Sequence, residues 1–236
     1  MALPKMRRVD AGGKSAGTAA ASQPPDPDPA RIAAIFERLE AADPAPQTEL
    51  RYDGAFGFLV AVVLSAQATD VSVNKATPGL FAGGATPAAM LALGEEGVRE
   101  RIKTIGLFNT KARNVIALSR QLLDLHGGDV PRSRAALEAL PGVGRKTAAV
   151  VLNALWGEAS IAVDTHVFRV SNRLPIAIGR TPDAVEAGLD RLVPARFKRH
   201  AHHWLILHGR YTCTARRPAC PDCRIADLCE WPGRTA

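Results

Sequence analysis

Several classes of protein are excluded by what this 236-residue chain lacks. No run alternates apolar and polar residues as a half-buried strand does, which argues against a sheet. No apolar stretch approaches the ~20 residues of a membrane span. The basic residues near the N terminus (Lys5, Arg7, Arg8, Lys14) are not followed by an apolar core, so they do not open a secretory signal. A transit peptide fits poorly with Asp10, Asp26 and Asp28. Cysteine is missing from most of the chain: all four residues lie between Cys213 and Cys229. Acidic residues are in the minority, 23 against 30 Lys plus Arg, for a formal charge of +7. Residues 1–28 carry only about +1 of it, and the remaining excess suits a polyanionic partner or ordinary solubility charge.

What is present reads as helices behind a low-complexity tail. Residues 1–28 are rich in Ala, Gly, Ser and Pro and are expected to be disordered. Asp28-Pro29 opens a helix with Ile32, Ile35, Phe36 and Leu39 on one face. Helices follow at Gly54–Leu64 and Asp70–Phe81, after Thr86-Pro87, from Asn109 or Thr110 to about Leu125, from Thr181-Pro182 to Leu192, and at Arg196–Arg210. The expected fold is all-α.

The most informative stretch is Leu140-Pro141-Gly142-Val143-Gly144-Arg145-Lys146-Thr147-Ala148. Ser133 caps a short helix through Leu140, Pro141 ends it, and a second helix runs from Arg145 to Trp156 with Gly157 as its stop. Gly142 and Gly144 supply backbone that tolerates positive φ and lets another chain come close. Such a hairpin, with the N terminus of its second helix, forms a concave site for an anion; it serves equally as a tight turn between helices. Arg145 and Lys146 sit in the first turn of that helix, where cations oppose the macrodipole, so a negative partner is expected unless both side chains simply reach water. The second helix is apolar nearly all round from Ala148 to Leu155 and is expected to be buried.

Downstream, Ile161-Ala162-Val163 leads to Asp164, the N-cap of a helix over Val167–Leu174. Capping does not preclude a second role, because two short helices can bring their starts together and set an acid beside a lysine. The cysteines form a third constellation, spaced Cys213-x6-Cys220-x2-Cys223-x5-Cys229. Four thiols so close together read as metal ligands rather than disulfides. Only Cys220 and Cys223 form a knuckle pair of the structural-zinc type, and the compact run also suits a cubane iron–sulfur cluster. Arg216 and Arg217 lie in the first loop of this set.

Together, Leu140–Ala148, Val163-Asp164-Thr165-His166 with Arg169, and the cysteine tail resemble the endonuclease III family, iron–sulfur DNA glycosylases with a helix-hairpin-helix. Ser65–Asp70, Ile105–Asn109 and His202–Gly209 match segments of the same family, and the resemblance covers residues 30–231. It implies two helical lobes: a six-helix barrel over 51–162 that includes the hairpin, and a [4Fe–4S] lobe built from 29–50 and 163–236. The implied partner is double-stranded DNA with damaged pyrimidines or abasic sites, bound by a monomer in the cytoplasm or on the nucleoid, with no membrane association.

The resemblance also implies roles. Lys146 attacks the sugar C1′ as a neutral amine, and Asp164 takes its proton or stabilises the cationic sugar. Gln67 enters the stack opposite the orphan base, Leu107 wedges from the other side, and Ile105 supports it. The hairpin N–H groups of Gly142, Val143 and Gly144, with Arg145, hold the backbone, Arg216 and Arg217 add charge, and Cys213, Cys220, Cys223 and Cys229 bind the cluster. For Ile105 and Leu107 core packing is the plainer reading of the residue type, and for Gln67 a solvated loop. The chain departs from the family at Ala149, where asparagine is common, and in its longer N-terminal tail. Alternatives are a monofunctional adenine or thymine mismatch glycosylase, whose families lack the lysine, and a non-catalytic helix-hairpin-helix module, which needs neither Lys146 nor Asp164.

Overall fold

Ten α-helices and a 3-10 turn at Ala226–Leu228 build the computed structural model, which describes residues 26–235 and contains no strand among them. The tail expected over residues 1–28 therefore lies, up to residue 25, outside the described residues. The helices are α1 (Pro29–Ala42), α2 (Gly54–Ser65), α3 (Asp70–Leu80), α4 (Pro87–Ile102), α5 (Phe108–His126), α6 (Arg134–Glu138), α7 (Arg145–Trp156), α8 (Thr165–Arg173), α9 (Pro182–Leu192) and α10 (Ala195–Tyr211).

Local chemistry sets most of the starts. Asp28, Thr69, Thr86, Ser133, Asp164 and Thr181 each cap a helix by accepting a first-turn N–H, which satisfies a donor the helix itself cannot pair. α5 departs from the expected start at Asn109 or Thr110. It begins at Phe108, preceded by Leu107 in the left-handed conformation and without a side-chain cap. α8 starts at Thr165 rather than Val167, because the Asp164 carboxylate bonds the N–H groups of His166 and Val167. α6 stops at Glu138, short of Leu140. α4 is broken at Gly94, whose φ of 70° lies outside the helical range.

The apolar residues gather into two clusters. The first draws on α2 to α7, with Phe58, Leu59, Leu64, Leu80, Ile102, Leu118, Leu137 and Val151 at its centre. α2 runs through it with every residue from Phe56 to Leu64 buried, as a helix apolar on all sides must. The second joins α1 to α8, α9 and α10, so the start of the described chain packs against its C-terminal third. Phe36 stacks on Phe197 with centroids 5.7 Å apart, and Trp204 closes on both rings. Such pairs add about 1 kcal/mol beyond their burial. Ile161 already belongs to this second cluster, so the chain passes between the cores within the loop after α7. α7 is buried on one face rather than all round: Val150, Ala154, Leu155 and Trp156 are only half-buried, and Val150 borders a cleft.

Candidate active site

The hairpin forms as a turn over Leu140–Gly144 between α6 and α7. Gly142 has φ 81°, and a Cβ there would fall 2.8 Å from Asn114 Nδ2, so both conformation and contact demand glycine. Gly144 does not share the expected positive φ: it is extended at −99°, and a Cβ on it would meet nothing within 4 Å. Its glycine therefore serves open space outside the hairpin rather than the turn. The Val143 N–H is spent inside the turn on the Leu140 carbonyl at 3.0 Å, and its side chain is buried. Among the described residues the Gly142 and Gly144 N–H groups make no hydrogen bond within the protein, so donors for an anion remain there and at the start of α7, which has no side-chain cap and whose first backward bond is Ala148 N–H to Gly144 O at 2.9 Å. Arg145 is exposed and turns to α9, 3.3 Å from Asp183 and 3.7 Å from Glu186.

Lys146, exposed in the first turn of α7, opens onto a cleft of about 420 Å³ that Asp164 also lines. Residues from both apolar clusters and the Gln47–Leu50 strap complete the wall. The two sequence readings of Asp164 are reconciled by its two oxygens. Oδ1 accepts the N–H groups of His166 at 2.8 Å and Val167 at 2.7 Å, which leaves Oδ2 outside the cap. Arg169 fixes the helix that Asp164 starts: it donates to the carbonyls of Gly209 at 2.7 Å and Cys213 at 3.1 Å. Gly209 lets α8 and α10 cross closely, since a Cβ there would lie 2.9 Å from that of His166.

Residues to which the sequence reading gave no role complete the cleft. Arg210 bonds Asp70 at 2.7 Å and also Glu49, whose other oxygen accepts from Tyr211. Burial works against the Arg210 cation, but its two carboxylate partners outweigh that and raise its pKa. His202 is buried, its Nδ1 donating to the Ala162 carbonyl at 2.7 Å. Burial, followed by the charge of neighbouring His203, lowers its pKa to about 4, and it is neutral near pH 7. Polar residues on a helix that packs into the core were the available signal, but which of them face a cleft is set by tertiary structure.

Gln67 borders the same cleft and is exposed, with φ 53°. Leu107 is 59% exposed with φ 59°, a costly arrangement for a branched apolar side chain, so the packing reading fails for it. Ile105 is the opposite case: it is buried in the first cluster, at 1% exposure, two residues before Leu107.

The four cysteines border a second cavity of about 420 Å³ beside α8 and α10. Among the described residues no three His, Cys, Asp or Glu side chains close to single-ion geometry. Burial, and then the backbone N–H of Ile225 and the neighbouring thiols, act on Cys223, with a net upward shift of its pKa. Four thiols around one space of this size fit a multi-atom cluster that would hold them as thiolates. Arg173 Nη1 lies 3.7 Å from the Cys213 sulfur and His208 Nε2 3.9 Å from that of Cys223. Arg216 and Arg217 are exposed on the loop between Cys213 and Cys220. No described helix is long and apolar enough to cross a membrane.

A family model for HhH-GPD superfamily base excision DNA repair proteins matches residues 60–195. Endonuclease III of Escherichia coli strain K12 is 60% identical over 197 residues, 84% of this chain and 93% of the relative. Endonuclease III of Treponema pallidum is 57% identical over 198 residues, covering 84% and 94%. Among solved structures, a trapped endonuclease III–DNA covalent intermediate with an estranged adenine matches with a TM-score of 0.80 at 41% identity, covering 86% of this chain and 96% of that one. A thermostable thymine-DNA glycosylase matches with a TM-score of 0.75 at 24% identity over 85% of this chain and 96% of its own, a likeness of fold.

Proposed function

Because the chain belongs to the endonuclease III family, within the HhH-GPD superfamily of base excision DNA repair proteins, we propose that it is a DNA glycosylase and abasic-site lyase for oxidised pyrimidines such as thymine glycol. The observation that carries this reading is that Lys146 and Asp164 line one cleft, beside a helix start with uncapped N–H donors.

A base within a duplex is out of reach, so the nucleotide must rotate into the cleft, at a cost of a few kcal/mol that is smaller for a damaged pair. Gln67 and Leu107, exposed on adjoining loops, fill the gap left behind, and the N terminus of α7 holds a backbone phosphate. Lys146 Nζ, as a free amine, attacks C1′; the glycosidic bond breaks and its electron pair leaves with the base. Oδ2 of Asp164 stabilises the positive charge that develops on the sugar. The aminal then opens to an imine. Loss of a C2′ proton expels the 3′ phosphate and nicks the strand, so one amine accounts for both activities.

The two apolar cores support a division into a barrel lobe (51–162) and a cluster lobe (29–50 with 163–236), departing from it at Leu50, which joins the first core, and Ile161, which joins the second; residues of both cores line the cleft. Cys213, Cys220, Cys223 and Cys229 hold a [4Fe–4S] cluster, which would pin the loop bearing Arg216 and Arg217 against DNA. The protein works at the nucleoid in the cytoplasm.

On a duplex with one thymine glycol, the expected products are free base and a nick 3′ to the lesion in equal amounts. Base release without a nick, or activity confined to mispaired adenine or thymine, would instead make it a monofunctional mismatch enzyme.

A further inference from the structure

His202 is a buried ionisable group in the cleft to which the chemistry above gives no task. Its ring is fixed by a 2.7 Å bond from Nδ1 to the Ala162 carbonyl, and a carbonyl can only accept, so Nδ1 carries the proton. In the neutral ring Nε2 is then a bare lone pair. Among the described residues Nε2 makes no hydrogen bond, yet it is not one of the inaccessible atoms without a partner, so it is open to solvent, and the ring lines the cleft. Lys146 from α7 and Asp164 from the start of α8 line the same cleft as this ring. His203 is its neighbour on α10, and Glu49, Asp70, His166 and Arg210 are the other ionisable groups around the cleft.

A proton must move after the lysine has attacked. The C1′–N bond leaves a cationic secondary amine, whereas opening the sugar ring requires a free electron pair on that nitrogen and a proton on the departing O4′. We propose that His202 Nε2 is the carrier: it takes the proton from the lysine nitrogen and returns it to O4′ as the C1′–O4′ bond breaks and the imine forms. No proton is gained or lost overall, and no outside reactant is needed. Asp164 offsets the imidazolium during the transfer. At rest the ring is neutral, so the lone pair is ready when the aminal forms. This inference rests on Lys146 being the nucleophile.

Base release precedes the carried proton and nicking follows it, so the two separate in a suitable variant. His202→Asn keeps an amide donor for Ala162 O but has no basic nitrogen. On a thymine glycol duplex we expect it to release base within about threefold of the wild-type rate. Borohydride-trappable imine and nicked strand should fall by roughly a hundredfold, in the range of general acid–base catalysis. His202→Gln should behave alike. Loss of both activities together in a folded variant, or loss of neither, overturns the proposal. Should both variants misfold, imidazole 15N resonances of the wild-type chain decide it: a protonated Nε2 at neutral pH contradicts the assignment. Lys146→Gln is run in parallel, because an adduct that survives that change removes the underlying reading as well.

Discussion

The backbone carbonyl of Gln67 lies 3.6 Å from the point where a Cβ on Gly106 would sit, so the loop before α3 and the loop before α5 abut. Gln67 and Leu107 are also the two non-glycine residues with positive φ among the described residues. Each such residue costs on the order of 1–3 kcal/mol, and two on touching loops at one edge of a cleft point to a shared task. Both side chains, one polar and one apolar, are exposed, as the proposed filling of the gap left by a flipped nucleotide requires.

Replacement of Leu107 by glycine should therefore separate stability from activity. The left-handed backbone is relaxed while chain entropy offsets part of the gain, so the melting temperature should hold or rise. Excision should fall by about tenfold or more, as the duplex closes without a wedge. Thermal melts and single-turnover excision check both signs; a parallel loss of stability would return Leu107 to the role of a packing residue.

The two hairpin glycines should behave differently. Gly142→Ala forces a side chain against Asn114 at positive φ and should destabilise by about 1–3 kcal/mol. Gly144→Ala meets open space and has an ordinary φ, so the fold should keep its melting temperature while DNA affinity drops. Chemical denaturation and fluorescence anisotropy with an abasic-analogue duplex separate the pair.

Burial of neutral His202 makes stability depend on pH. Its folded pKa of about 4 lies below the ordinary 6.5, so the unfolded chain takes up the proton first as pH falls. The contribution is fully present above pH 6.5 and is lost as pH drops through 4, with about 2 kcal/mol already gone at pH 5. Urea midpoints at pH 7 and pH 5 should differ less for His202→Asn than for the wild type.

Arg216 and Arg217 are exposed on the cysteine loop, and charge of this kind is read through salt. Replacing both by alanine should flatten the slope of log affinity against log salt by roughly 1–2, one counterion per lost phosphate contact. The purified protein should contain iron and absorb broadly in the visible; zinc in its place would overturn the cluster assignment. Cys220→Ser should lose both the absorbance and the salt-dependent share of binding.

Much of the helical frame was legible because its starts rest on local chemistry: Asp28, Thr86, Ser133 and Thr181 cap where their side chains dictate. The start of α5 was not, because Leu107 opens it with no capping side chain and in a conformation no propensity favours. Within the site, Lys146 and Asp164 stood out by residue type and spacing. The separate fates of Gly142 and Gly144 required backbone angles. The burial of Ile105 against the exposure of Leu107 two residues on required packing. His202 and Asp70 lie in segments that resemble the family, but no local pattern gives them a role, and Glu49 and Arg210 come to the cleft from outside those segments.

The most direct measurement is borohydride trapping on a duplex with thymine glycol or an abasic site. The wild-type chain should form one covalent protein–DNA adduct, abolished by Lys146→Gln and retained in reduced yield by Asp164→Asn. No adduct from the wild type, or an undiminished adduct from Lys146→Gln, contradicts the assignment of Lys146 as the nucleophile.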